Sequence, residues 1–207
     1  MIEVDPKETK RAQAFDAWMN APMPMVTLFK TYSIGKLVKV SKRNGLKFNM
    51  LLCWCIGRAA SSIDEFYLLP VGGRLMRFES LAINVVVKTK SGSISTCDVP
   101  FKADIKSFNE DYLRLTQHVC ETNVAHSAGD DYMVIGTSAL TDCDIDGAVN
   151  IYSGIYNNPF IVWGKYRRQL FKTTLPISFQ FHHVQMDGME AAKFLNALQS
   201  EIDNLSV

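Results

Sequence analysis

The chain has 207 residues, of which 47% are hydrophobic, 11% aromatic and 21% charged. That is an ordinary globular composition, long enough to bury a core without a disulfide or a metal, and a single domain over 1–207 is expected. Twenty-two Lys and Arg against 21 Asp and Glu leave a formal charge of +1, without the basic footprint that nucleic-acid binding needs.

Met1 to Arg11 is polar and lacks the apolar stretch of a secretory signal. Residues 5–20 read as a short helix, with Ala12, Phe15, Trp18 and Met19 at helical spacing and Pro22 and Pro24 beyond it. Met25 to Tyr32 is β-branched and aromatic and reads as a strand. Ile34 to Lys42 reads as a helical turn running into Asn44-Gly45. Segment 47–62 is apolar on nearly all sides, and its length favours a buried helix. It holds the longest apolar run, Met50 to Ile56, far too short to span a bilayer.

Phe66 to Val71, Leu75 to Phe78 and Leu81 to Lys88 read as short strands, broken in hairpin fashion at Gly72-Gly73 and Ser91-Gly92. Segment 103–122 repeats Ile105, Phe108, Tyr112, Leu115 and Val119 at helical spacing, and Asn123 to Asp131 is a polar loop. Tyr132 to Ile135, Ala148 to Tyr152, Phe160 to Trp163 and Leu175 to Phe181 read as strands, and Met189 to Asn204 as a closing helix. Helices and strands mix without regular alternation, so the expected fold class is α/β with a mixed sheet and helices packed on one side. The Arg167-Arg168 pair reads as solvent-exposed and carries no functional weight. Five cysteines, at 53, 55, 97, 120 and 143, read as buried reduced thiols of a cytoplasmic protein, since neither their number nor the spacing of Cys53-Trp54-Cys55 suits a disulfide framework or a zinc knuckle.

One cluster carries chemistry. His182-His183-Val184-Gln185-Met186-Asp187-Gly188 follows a strand and precedes a helix. Alternation through Leu175, Ile177, Phe179 and Phe181 puts these side chains and His183 on one face, with His182 on the other. Read structurally, Asp187 caps the helix, Glu190 completes a capping box, and both imidazoles are packed side chains. Read functionally, a neutral imidazole aimed into a cleft takes a proton from a hydroxyl or thiol near pH 7. Adjacent histidines on a strand rarely reach one ion, and no Cys or Glu stands at ligand spacing, so no metal is expected.

This cluster is the HHxxxDG signature of coenzyme A-dependent acyltransferases, and the residues around it resemble the chloramphenicol acetyltransferase family. Leu175 to His183 is similar to the family's LPLxxQVHH strand, Gly164-Lys165-Tyr166 to its GKY, and Ser138-Ala139-Leu140 to the start of its SALPW. Lys47-Phe48 resembles KFYP, Asp64-Glu65-Phe66 resembles xEFR, and Arg11 to Trp18 resembles RKEHFEAF. Together these span nearly the whole chain.

The resemblance implies the acyltransferase fold and direct transfer of an acetyl group from acetyl-CoA to a hydroxyl of chloramphenicol or a similar small molecule. His183 would be the general base, and His182 structural. Asp187 and Arg11 would form an ion pair that pins the turn holding His183, and Ser138 would support the oxyanion. A homotrimer with the active site between subunits is implied, with coenzyme A and a small hydroxyl acceptor as partners. Some positions depart from the family. Pro and Trp of SALPW are replaced by Thr141-Asp142, Val162 stands for a threonine, Ile94 for an aromatic, and Trp18 for Phe or Tyr. Trp18, Ile94 and Val162 therefore mark an altered acceptor pocket. Two further readings share these residues: a dihydrolipoamide-type acyltransferase domain lacking its lipoyl domain and linker, and a non-catalytic ligand-binding member of the fold.

Overall fold

In the computed structural model, residues 1–152 and 154–206 are described. Strand β1 (Ile2–Glu3) leads into a 3-10 turn at Pro6–Glu8, followed by helix α1 (Ala12–Trp18). The Thr9 hydroxyl donates to the Pro6 carbonyl and accepts from the Arg11 N–H at 3.0 Å, so the chain arrives at α1 with Arg11 as its N-cap. The predicted 5–20 helix is thus two pieces, because the Thr9 side chain takes up backbone groups that a continuous helix would use.

Next come β2 (Met25–Ser33), α2 (Gly35–Asn44) and α3 (Phe48–Ser61), with left-handed Gly45 at φ 66° ending α2. A 3-10 turn at Asp64–Tyr67 takes Phe66 out of the expected strand, and the hairpin of β3 (Leu68–Val71) and β4 (Arg74–Arg77) begins at Leu68. Gly72 and Gly73 turn it at φ 57° and 80°, angles that only glycine adopts without strain. Then follow β5 (Ser80–Lys88), β6 (Ile94–Pro100), α4 (Ile105–Thr122), β7 (Tyr132–Ala139), β8 (Phe160–Trp163), β9 (Arg167–Arg168), β10 (Thr173–His182) and α5 (Gly188–Asp203).

The main sheet runs β2-β10-β8-β7-β5-β6, with β9 pairing to β10. β7 lies parallel to β5 and β8, and the other pairs are antiparallel. β1, β4 and β3 form a separate small sheet. The expected mixed sheet is present. Its core is one apolar cluster in which Phe66, Phe179 and Phe194 meet with ring centroids 4.6 to 6.1 Å apart. Helix α3 is buried through Met50 to Gly57, as its all-round apolar pattern requires.

Strand β10 is buried on both faces, not only on the face of Leu175, Ile177, Phe179 and Phe181. The opposite face is crossed by segment 147–150. The Ala148 N–H donates to Ser178 Oγ at 2.8 Å, and Gln180 donates to the Asn150 carbonyl at 3.3 Å. Residues 148–152 are therefore not a strand of this sheet. Alternation alone does not make a strand: the segment lies across the face of β10 and not along the edge at β2 or β6, and Val149 and Ile151 are left 66% and 92% exposed. The thiols also differ from expectation. Cys53, Cys55 and Cys97 are buried, but Cys143 is exposed and Cys120 half-buried. Burial pushes Cys53 up to about 12 and Cys97 to about 11. Among the described residues no helix is long and apolar enough to cross a membrane.

Candidate active site

Strand β10 ends at His182, and the next five residues turn the chain into α5. Asp187 is the N-cap, its carboxylate accepting from the Met189 N–H at 3.0 Å. His182 is fully buried, and its Nδ1 accepts from the Val184 N–H at 3.1 Å. Burial, and secondly the neighbouring His183, push His182 down to about 4, so it is a neutral structural imidazole at pH 7.

His183 sits differently. Its N–H donates to the Pro24 carbonyl at 2.8 Å, and its ring stacks on Trp18 at 4.8 Å with 9° between planes. The residue is half-buried, and its Nδ1 is buried without a partner. Nε2 is the nitrogen left to meet a substrate.

Arg11 binds the turn from the side. Its guanidinium donates through Nη2 to the His183 carbonyl at 2.7 Å, through Nε to the Val184 carbonyl at 2.9 Å, and through Nη1 to Asp187 at 3.2 Å. The fork geometry of guanidinium suits three acceptors spread over one turn. The Arg11 side chain is 6% exposed and that of Asp187 43%. The ion pair proposed from resemblance thus forms, but its buried part is the arginine and the two carbonyls. Asp187 is held down to about 2, first by the neighbouring Glu190 carboxyl, then by the Met189 N–H and Arg11. It makes no contact with the His183 ring, so it is not the acid of a catalytic triad.

Arg11, Trp18, His183 and Asp187 come together; Ser138, Val162 and Ile94 lie elsewhere. Ser138 on β7 pairs with Val162 on β8, which pairs with Ser178 on β10, so all three share one face in one row across the sheet. His183 lies five residues beyond Ser178. At roughly 3.3 Å per residue and 4.8 Å per strand, that is about 16 Å along and 10 Å across from Ser138. No single small substrate touches both within one protomer. Val162 is 4% exposed, and Ile94 is 74% exposed on β6, the edge strand farthest from β2.

Sequence reasoning passed over one feature. A cavity of about 770 Å³ is lined by Lys47 and Phe48 at the start of α3, by Thr141 and Trp163, and by Lys165, Tyr166 and Arg168 before β10. Arg168 has its guanidinium 5.3 Å from the Tyr166 ring centre, while Arg167 pairs with Asp144 and Asp146 at 2.7 Å each. Arg168 is solvent-exposed as expected and Arg167 half-buried, yet one lines a cavity and the other ties down a loop. Gly164 makes this arrangement possible: a Cβ there would meet the Cys143 carbonyl at 2.6 Å, and the Lys165 N–H donates to that same carbonyl at 2.7 Å. Three cations and an aromatic ring around an apolar slot are the chemistry of a phosphate-bearing ligand with an aromatic base. The sequence signal was the pair of lysines in the two motifs, Lys47-Phe48 and Gly164-Lys165-Tyr166. Among the described residues no group of His, Cys, Asp and Glu could hold a metal ion.

A family model described as chloramphenicol acetyltransferase matches residues 1–199. The chain belongs to the chloramphenicol acetyltransferase family. Chloramphenicol acetyltransferase 3 of Escherichia coli is 25% identical over 201 residues, covering 94% of this chain and 93% of that protein. A chloramphenicol acetyltransferase of Clostridium perfringens is 25% identical over 206 residues, covering 97% and 94%. A solved chloramphenicol acetyltransferase superposes with a TM-score of 0.84 at 19% identity, covering 96% of this chain and 98% of that one. A probable dihydrolipoamide acetyltransferase from Listeria monocytogenes reaches 0.72 at 11% identity, covering 100% and 95%. These two likenesses show the shared acyltransferase fold.

Proposed function

We propose that the protein is an O-acetyltransferase that moves the acetyl group of acetyl-CoA to a hydroxyl of chloramphenicol or a similar small molecule. The observation that carries this reading is the three-pronged hold of Arg11 on the turn bearing His183, which fixes the backbone of a half-buried imidazole while leaving its Nε2 free. His183 Nε2 takes the hydroxyl proton as the acceptor oxygen attacks the thioester carbon. The C–O bond forms, the C–S bond breaks, and the proton returns from His183 to the departing coenzyme A sulfur. Ser138 donates to the developing oxyanion, a single donor of a kind worth roughly 10²–10³ in rate.

Lys47, Lys165 and Arg168 receive the phosphates of the donor, and Tyr166 lies against its base. Because His183 and Ser138 of one protomer are too far apart, a neighbouring copy completes each site, within a homotrimer. The bare apolar side chains of Phe29, Val149 and Ile151, 55%, 66% and 92% exposed, support such a cover over the face that carries Ser138. Trp18, Val162 and Ile94 shape the acceptor pocket in that assembly. The reaction is placed on a single acyltransferase domain, in the cytoplasm where acetyl-CoA is at hand.

The test is mass-spectrometric detection of acetylated chloramphenicol after incubation with acetyl-CoA, beside His183→Ala. Product from the wild type, reduced by about 10²–10⁴ in the variant, is expected. Undiminished product from His183→Ala would refute the base. Transfer to dihydrolipoamide and to no hydroxyl acceptor would move the protein to the dihydrolipoamide-type reading. Tight drug binding without product would make it a binding protein.

A further inference from the structure

Glu190 is the only acidic side chain in the buried class among the described residues, 6% exposed. Its Oε2 is buried with no donor, and its nearest cation, Lys193 Nζ, stands 4.0 Å from Oε1 on an exposed side chain. A second carboxyl, Asp187, lies in the same first turn of α5, already engaged by Arg11 and the Met189 N–H. A buried carboxylate oxygen without a donor is costly, and two carboxylates side by side are costlier. Both costs vanish if Glu190 keeps its proton and donates it to Asp187.

We propose that Glu190 is a positioning residue for the transfer: its carboxyl and that of Asp187 hold one proton between them, and this shared proton keeps Asp187 on Arg11 and the turn in the shape that presents His183. The inference rests on the reading of His183 as base. Burial fits it. Glu190 is pushed up first by the neighbouring Asp187 carboxyl and then by desolvation, against the pull of the Glu190 and Asp187 backbone N–H groups, while Asp187 is held low. The charged groups at Glu190 are Asp187 and Lys193 on its own helix, and Arg11 is linked to it through Asp187. A single guanidinium serves the pair. When the shared proton leaves at higher pH, two carboxylates compete for it, and the hold on the His183 and Val184 carbonyls loosens.

The sign follows from linkage. A group titrating above its unfolded value gives stability that is present at acid pH and is lost as pH rises through the folded value. Glu190→Gln keeps the size and a donor N–H but cannot ionise. Thermal melting of the wild type and E190Q from about pH 3.5 to pH 8 therefore reads the proton directly, without any substrate. The two are expected to melt together below about pH 4, where the unfolded carboxyl is also protonated, and then to separate. E190Q should melt higher toward pH 8, by about 3–5 °C for each unit by which the folded carboxyl departs from its ordinary value of about 4.3. His183→Ala, melted alongside, should keep the wild-type pH dependence, which separates Glu190 from imidazole titration.

In acetyl transfer to chloramphenicol, kcat of E190Q should hold on the alkaline side where the wild type falls. Glu190→Ala, which cannot donate, should lose about tenfold in kcat with little change in KM for acetyl-CoA. Parallel melting curves for wild type and E190Q would overturn the shared proton. Undiminished transfer by Glu190→Ala would overturn the positioning role. An active His183→Ala would instead sink the catalytic reading and leave the melting result standing, so the two failures are told apart.

Discussion

Replacing Arg11 by Ala and Asp187 by Asn separates the two halves of the hold on the His183 turn. Arg11→Ala removes three charged donors at 2.7, 2.9 and 3.2 Å and leaves the His183 and Val184 carbonyls without them. Hydrogen bonds to charged groups contribute about 1.5–3 kcal/mol each, and a buried carbonyl left unpaired costs about 1–3 kcal/mol. With water entering the vacated space, we expect a net loss of about 3–5 kcal/mol, the range for breaking a buried charged contact. Asp187→Asn removes only the ion pair. Its carboxylate side chain is 43% exposed, so solvent screens it, and a loss of about 1 kcal/mol or less is expected. For a chain of this length each kcal/mol moves Tm by about 2–4 °C, so Arg11→Ala should melt about 6–20 °C lower and Asp187→Asn no more than about 4 °C lower. Differential scanning fluorimetry at pH 7 measures both. Equal losses would refute the reasoning, since they would put the strength in the ion pair and not in the carbonyls. Acid pH offers a second view. Asp187 titrates at about 2, below the ordinary 3.9 of an aspartate, so its contribution is present above pH 4 and is lost as pH falls toward 2; Asp187→Asn should lack that part of the acid transition.

Trp18→Ala should leave the His183 ring unsupported and cut kcat more than it raises KM for acetyl-CoA, while Trp18→Phe restores most of the rate. A stacked pair contributes about 0.5–1.5 kcal/mol, so a rate loss of about threefold to tenfold is expected, read in steady-state kinetics. Lys165→Ala should raise KM for acetyl-CoA about tenfold with kcat nearly unchanged, and the defect should shrink as salt screens the remaining cations. Gly164→Ala drives a Cβ to 2.6 Å from the Cys143 carbonyl. A backbone contact of that kind forces the 143–145 loop and Lys165 apart, costing about 1–3 kcal/mol of stability, measured by chemical denaturation.

The sequence by itself determined what local periodicity encodes. The all-round apolar run of α3, the stripe of α4 and the Gly72-Gly73 turn each state their structure within a few residues, because side-chain spacing on a helix or strand is set by backbone geometry alone. The clustering of His183 and Asp187 was legible for the same reason: they lie within one turn. What sits far apart in the chain was not. Arg11 was matched to Asp187 only through the resemblance to a family, and the spacing of the two says nothing of how three prongs divide between a carboxylate and two carbonyls. Residues 148–152 alternate like a strand, yet they are held across the face of β10 and not along an edge of the sheet. The separation of Ser138 from His183 is a matter of register across β7, β8 and β10, a long-range choice that no local pattern contains. Glu190 reads from sequence as a capping residue. Only the folded chain, by burying its second oxygen beside Asp187, makes its proton matter, since the cost of a charge depends on the surroundings that tertiary packing supplies.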